Sequence, residues 1–341
     1  MKKTNTLLTR DEFREGVFKR DNHACVICGA DAVDAHHIIE RRLFSDGGYY
    51  LDNGSSLCGD CHMAAERTDI SVEEIRAAIG IETPILPEDF YRDVRYDKWG
   101  NVYINQWTRA KGPLFFDESV QKILSTHLSE FSHLVKYPRT WHLPWSSGTK
   151  DDRILKDVSH FEGRNVVVTE KMDGENTSLY NDHVHARSLE PVNGSDHSWV
   201  KVTQSMICSD LPDGWRVCGE NVYRKHSIQY HDLASYFLAF SIWDDRNVCL
   251  SWDATEEWLE LFGLTSVPVL YRGIWDEALI KKMWSESEYD RQEGYVVRVE
   301  DSFTFNEFRK SIAKFVRPNH VQSSHHWKRE IPVINTIKQG S

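Results

Sequence analysis

The chain has 341 residues and a formal net charge of −11, with 40% hydrophobic and 27% charged residues. That length allows two or three domains with cores of their own, and the composition excludes a disordered or fibrous protein. The acidic balance argues against nucleic-acid binding over the whole surface, but not against a local basic groove or bound metal ions that hold phosphates.

No apolar run reaches membrane-spanning length, and the N-terminal MKKTNTLLTRDEF has too short an apolar stretch for a signal peptide. A cytoplasmic protein with no membrane partner is expected. Twelve Trp, thirteen Tyr and fifteen Phe point to packed cores with some aromatic binding surface.

In chain order, TRDEFREGVFKR (9–20) places apolar residues at 13, 17 and 18 behind a capping Thr9, which predicts a short amphipathic helix. Cys25-x2-Cys28 makes a knuckle, VDAHHII (33–39) a strand, FSDGGYYLDNGSS (44–56) loop and turn, and LCGDC (57–61) a second knuckle. HMAAER then opens a helix, and SVEEIRAAIG (71–80) is another, ended by glycine. TPILPEDF reads as a linker and YDKWGNVYINQW as a hairpin turning at Gly100 and Asn101. From about residue 136 the texture changes to β-patterned segments: NVVVTEK, TSLYN, WRVCGENVY, YFLAFSIW, EGYVVRV and AKFVR. ATEEWLELFG and DEALIKKMWSE are helical stretches between them. The expected fold is a multidomain α+β protein: a zinc module over 1–80, a connector over 81–135 and a domain with antiparallel sheets over 136–341.

Four of the seven cysteines, Cys25, Cys28, Cys58 and Cys61, form two CxxC pairs. In a cytosolic chain such pairs mean metal more often than disulfides, here a closed structural Zn2+ site that staples a small module. Cys208, Cys218 and Cys249 lie in apolar, strand-like contexts and are expected as core residues. His36 and His37 sit between the knuckles, Asn53 in the following loop, and His62 directly after the last cysteine. Through AHHI, GG…LDNG and LCGDCH, roughly residues 13–68 resemble the HNH endonuclease family. The resemblance implies a ββα-metal nuclease with His37 as general base, Asn53 orienting its loop, and His36 and His62 holding a divalent metal at the scissile phosphate. Glu66, four residues after His62 and on the same helix face, stands where family members often add a ligand. The alternative is a non-cutting zinc clamp used only for binding.

In TEKMDGEN (169–176), Lys171 follows the apolar strand NVVVTE and precedes an Asp-Gly turn. Partial desolvation there is expected to lower its pKa and expose a nucleophilic amine, with a nucleotide α-phosphate as its electrophile. HARS, CGENVY, YFLAFSIW, EGYVVR and AKFVRP follow in order. With KYPRTWHLPWS (136–146), this set resembles the nucleotidyltransferase superfamily of polynucleotide ligases and capping enzymes, most of all the RNA ligases typified by phage T4 RNA ligase 2. The resemblance covers about residues 136–320. It implies ATP and Mg2+ (or Mn2+) as cofactors, RNA ends as partner with DNA or RNA–DNA nicks as the alternative, and Lys171 as the adenylated nucleophile. Glu170 would recognise adenine, Arg187 contact substrate or phosphate, Glu220 the ribose, Phe240 stack on the base, Glu293 hold a metal and Lys314 bind the α-phosphate. Phe240 fits a core residue equally well, since its segment is apolar throughout. Arg317 would join the ATP-binding set, but two positions separate it from Lys314 rather than the one of the family pattern, which leaves its role open. A GTP-using capping transferase fits KYPRT and HARS less well. The stretch after Arg317, with HVQSSHHWKRE, is expected to be too short for an appended domain. The two halves together imply end processing in nucleic-acid repair or defence.

Overall fold

The computed structural model describes residues 6–148, 152–189, 192, 194–318 and 333–338; the tail segment HVQSSHHWKRE, 320–330, lies outside them. The chain divides into two units, Met1–Lys136 and Tyr137–Ser341.

The first unit begins with helix α1, Arg10–Arg20. Thr9 caps it in a reciprocal capping box with Glu12, and Phe13, Val17 and Phe18 form its buried stripe. Strands β1 (Asp34–His37) and β2 (Gly54–Leu57) pair antiparallel, with His37 opposite Gly54. Gly54–Ser56, expected as the end of a loop because small polar residues carry no β pattern, form this strand with Leu57, and all four are buried. Helix α2, Gly59–Glu66, starts inside the second knuckle, and α3 spans Val72–Ala78.

Residues 81–135, expected as a connector, are packed into the first unit. Short strands β3 (Val102–Tyr103), β4 (Arg109–Ala110) and β5 (Phe131–Ser132) form a small sheet, and helix α4 spans Glu118–Ile123. Trp99, Leu114, Val120 and Leu124 make a local core against which Leu43 packs. The Trp99 indole donates to the Glu66 carbonyl at 2.8 Å, and Arg109 donates to Thr68 at 2.8 Å and to Asp97 at 2.9 Å. The Gly100–Asn101 turn forms, closed by an Asp97 N–H to Asn101 carbonyl bond, though only a single bridge, Tyr96 to Val102, follows it.

The second unit is built on two sheets. Its strands are β6 (Trp141–His142), β7 (Asn165–Glu170), β8 (Glu175–Leu179), β9 (Val184–Ala186), β10 (Arg216–Asn221), β11 (Phe237–Trp243), β12 (Val248–Cys249), β13 (Thr265–Ser266), β14 (Val269–Ile274), β15 (Gly294–Val299), β16 (Phe303–Thr304) and β17 (Ile312–Val316). One sheet runs β14-β7-β15-β17-β6; the other runs β16-β12-β11-β10-β8-β9, with β13 beside β11. Most pairings are antiparallel, but β17–β6 and β11–β13 are parallel. Val166, Val168, Tyr295 and Val297 of the first sheet share one buried cluster with Cys218, Trp243 and Cys249 of the second. Helices α5 (Ser198–Ile207) and α6 (Trp252–Phe262) cover the second sheet's other face through Val200, Ile207, Leu259 and Phe262.

Cys218 and Cys249 are fully buried, whereas Cys208 sits half-buried at the end of α5 rather than in a strand. DEALIKKMWSE forms only one helical turn, Glu277–Ile280. Among the described residues no helix is long and apolar enough to cross a membrane.

The Asp173-Gly174 turn between β7 and β8 leaves no room for a side chain at its glycine, because a Cβ there would meet the Asn221 carbonyl oxygen at 2.4 Å. Backbone cannot yield as a flexible side chain can. Gly174→Ala is therefore expected to destabilise the second unit by about 2–4 kcal/mol, read as a shift of the urea midpoint.

Candidate functional site

The register of the first sheet of the second unit places three residues side by side. Thr169 lies opposite Val296, and Val296 opposite Lys314. Cross-strand partners point to the same face, so β7, β15 and β17 present Thr169, Val296 and Lys314 together. Lys171 follows directly, its N–H bonded to the Gly294 carbonyl at 3.0 Å. In the other sheet Glu220 lies opposite Asn176. The β10–β11 register slips between Cys218 and Gly219, pairing Ala239 and Ser241 but leaving Phe240 as the extra residue of a bulge. A bulge re-aims a side chain, and here it turns the Phe240 ring inward.

Between the sheets lies a cavity of about 280 Å³. Glu170, Lys171, Arg187, Glu220, Phe240 and Lys314 all line it. Phe240 serves both expectations, since it also packs on the buried clusters and meets Tyr137 edge-on at 5.3 Å. Glu293 is buried behind Lys171, its carboxylate 2.5 Å from the ammonium.

Arg317 is not among the lining residues. Side chains alternate along a strand, so three positions beyond Lys314 the chain faces the other way. Its buried guanidinium donates to Ser227 Oγ at 3.2 Å and lies 4.1 Å over the Tyr289 ring. Sequence reasoning missed Asn176, Arg298 and the separate contributions of Tyr137 and Arg139 to the lining. Asn176 was detectable as a cross-strand neighbour of Glu220 only once the register was known.

The turn after Lys171 is held from outside the cavity. Asp173 accepts from Ser227 N, Ser227 Oγ and Ile228 N at 2.6, 2.7 and 2.8 Å, and its own N–H donates to the Tyr230 hydroxyl at 2.9 Å. Asn335 in turn accepts from Tyr230 N at 2.9 Å and donates to the Val222 carbonyl at 2.8 Å.

The electrostatics correct one expectation. Burial alone would push the Lys171 ammonium down, but the Glu293 and Glu220 carboxylates outweigh it and hold its pKa well above the ordinary lysine range. Burial pushes Glu220 up to about 8 against the pull of Lys171, and burial with nearby Glu288 pushes Glu170 up to about 7. Burial and the Lys171 charge bring Lys314 down to about 8. The two lysines are thus shifted in opposite directions, although both line one cavity.

Residues 164–316 match the RNA ligase family. That matched stretch is less than half of the chain and contains every lining residue named above except Tyr137 and Arg139. No curated protein matches the chain. Among solved structures it is similar to a Naegleria gruberi RNA ligase with PPi, at 20% identity and TM-score 0.38 over 48% of this chain and 53% of that one. It is also similar to an archaeal ATP-dependent RNA ligase, at 16% and 0.41 over 54% and 48%. A mutant of the Naegleria ligase with AMP and Mn gives 18% and 0.39 over 60% and 67%. The chain spans about half the length of the first two.

The first unit holds two clusters of metal-ligating type. The Sγ atoms of Cys25, Cys28, Cys58 and Cys61 all lie within 4.8 Å of one another, with Cys28 and Cys58 at 3.6 Å. Tetrahedral zinc with Zn–S bonds of about 2.3 Å needs sulfurs about 3.8 Å apart, so the set fits zinc. Burial opposes a thiolate at Cys25, yet the N–H groups of Cys28, Cys58 and Ile27 bring it down to about 6. Beside it, one ligand atom each from His36, His62 and Glu66 lies within the same 4.8 Å limit. Neither ring nitrogen of buried His36 makes a well-formed hydrogen bond, Nδ1 lying 3.4 Å from Glu66 Oε1, and burial, then Lys98, pushes its pKa down to about 3. A neutral imidazole with unsatisfied nitrogens fits a divalent metal. Asn53 accepts from Ile39 N at 2.9 Å and donates to the Ile39 and Gly48 carbonyls at 3.0 and 3.1 Å, tying the loop after β1 to the loop before β2. His37 stacks on Phe13 at 4.5 Å, and burial with Lys98 brings it down to about 4, so it is neutral near pH 7.

Glu220 supplies a pH signature. Its folded pKa of about 8 lies above its ordinary 4.5, so its contribution to stability is complete below about 4.5 and is lost as pH rises through about 8. Glu220→Gln is expected to remove that loss. In urea titrations without nucleotide, the variant should gain about 1–3 kcal/mol over wild type between about pH 5 and about pH 9.

Proposed function

We propose that the protein is an ATP-dependent polynucleotide ligase that seals RNA ends through a lysyl-AMP intermediate, joined to an HNH-type metal-dependent nuclease. The observation that carries the ligase reading is one cavity lined by Lys171 together with Glu170, Arg187, Glu220, Phe240 and Lys314, within the stretch that matches the RNA ligase family.

In this reading Lys171 Nζ attacks the α-phosphorus of ATP, a P–N bond forms, the bond to the β-phosphate oxygen breaks and pyrophosphate leaves. The ammonium must first lose a proton, and Glu293 is the carboxylate beside it. Mg2+ or Mn2+, held by Glu293, would neutralise phosphate charge and weaken the grip of that carboxylate on the lysine proton. Lys314 meets the α-phosphate, Phe240 stacks on adenine, Glu220 takes the ribose hydroxyls, Glu170 reads the base and Arg187 contacts phosphate. AMP then passes to a 5′-phosphate end, and a 3′-hydroxyl displaces it to close the strand.

In the first unit, His37 would take a proton from water while His36, His62 and Glu66 hold a divalent ion, with Asn53 fixing the loop and the four cysteines holding zinc. Its non-cutting alternative is favoured by one observation: Glu66 is already paired with a buried ammonium, Lys98 Nζ at 3.0 Å.

Intact mass after incubation with ATP and Mg2+ should rise by one adenylyl group in wild type and not in Lys171→Ala; no gain in folded, AMP-free wild type removes the ligase reading. Sealing of nicked RNA over DNA and hybrid duplexes then fixes the substrate. For the nuclease, Mn2+-dependent scission of plasmid DNA and structured RNA is expected to fall at least about 100-fold in His37→Ala, whereas retained binding with no scission in wild type selects the clamp.

A further inference from the structure

Lys98 lies outside every motif, in the stretch 81–135, yet its ammonium reaches the His36–His62–Glu66 set. Nζ is 3.0 Å from Glu66 Oε1, donates to the His37 carbonyl at 2.9 Å and lies 3.7 Å from Glu40 Oε2. The side chain is only 5% exposed. Its backbone is fixed as firmly. The Asp97 carboxylate accepts from the N–H groups of Trp99 and Asn101, both at 2.9 Å, and the Lys98 carbonyl accepts from Glu40 N at 3.0 Å. Trp99 next door donates to the Glu66 carbonyl. One turn therefore docks on the end of α2, which carries Glu66, and on the end of β1, which carries His37.

We propose that Lys98 is a resident cation that competes with a divalent metal for Glu66, so that this carboxylate is already paired without metal and the site holds the ion weakly. The inference rests on the reading of His36, His62 and Glu66 as a metal set. Glu66 is the one carboxylate among those three residues, and Lys98 already neutralises it. A divalent ion must share that carboxylate with an ammonium a few ångströms away, in surroundings that screen poorly. The His37 carbonyl and the burial of its stem hold Lys98 where it is. The first unit would then engage metal only at high concentration, or after a phosphate draws the ammonium away.

The test is calorimetric titration of Mn2+ into the zinc-loaded full-length chain. Mn2+ prefers oxygen and imidazole ligands and leaves the four thiolates to zinc. Lys98→Met, which keeps a stem of similar shape without charge, should bind Mn2+ roughly tenfold or more tightly than wild type. Lys98→Arg, which keeps the charge, should stay within about threefold of wild type, and His36→Ala should lose the site. Zinc content and circular dichroism verify each fold; if Lys98→Met does not fold, Lys98→Gln, which still donates to the His37 carbonyl, carries the same expectation. Unchanged or weaker Mn2+ binding in the uncharged variant, with wild type binding, overturns the competition and leaves the metal set standing. No Mn2+ binding in either overturns both.

Discussion

The ion pair between Lys171 and Glu293 governs the chemistry available to the second unit. It crosses from the end of β7 to the start of β15, two strands that the sheet already holds side by side. Burial without this partner would make the lysine easier to deprotonate. With it, the amine is stored as an ammonium and must be released. Release requires something that competes for the carboxylate, and under the proposed function a nucleotide arriving with a divalent ion would bring such a competitor. Under that reading the pair would couple reactivity to occupancy.

The first unit uses the same physical device with a different geometry. Glu66 is held by Lys98 as Glu293 holds Lys171, and in both places a carboxylate is shared between a buried ammonium and the place where a metal is proposed. The difference lies in which partner does the chemistry. In the second unit the lysine is the proposed nucleophile. In the first, the carboxylate and its histidine neighbours are the proposed ligands, and the lysine stands beside them.

Much of the second site was legible because its residues lie on β-patterned strands whose order along the chain sets their place in the sheets. Lys171 at the end of NVVVTE, Glu220 in CGENVY and Lys314 in AKFVR needed only correct strand pairing to meet. Phe240 was ambiguous for a physical reason: an apolar run hides a bulge, and the bulge alone decides where that ring points. Arg317 lies outside the cavity lining because the alternation past Lys314 turns it the other way, which a family spacing does not show. Lys98 was invisible, since nothing local to YDKWGN indicates that its turn docks on α2. The pKa of Lys171 was read with the wrong sign because burial is inferable from an apolar strand, whereas a carboxylate 122 positions away is not. The GSSL strand and the packing of 81–135 failed for a related reason, since their burial comes from tertiary contacts rather than from pattern.

Asn335 gives the second site a place in time. The turn that carries Lys171 leans on Tyr230 through Asp173, and Tyr230 leans on Asn335, which reaches it from 105 positions further along the chain. On the ribosome, β7 and its lysine emerge well before the residue that completes their support. The cavity is therefore finished late in synthesis, after both sheets have been made. A chain stalled or clipped ahead of residue 333 would carry every cavity-lining residue yet lack the last brace of the turn.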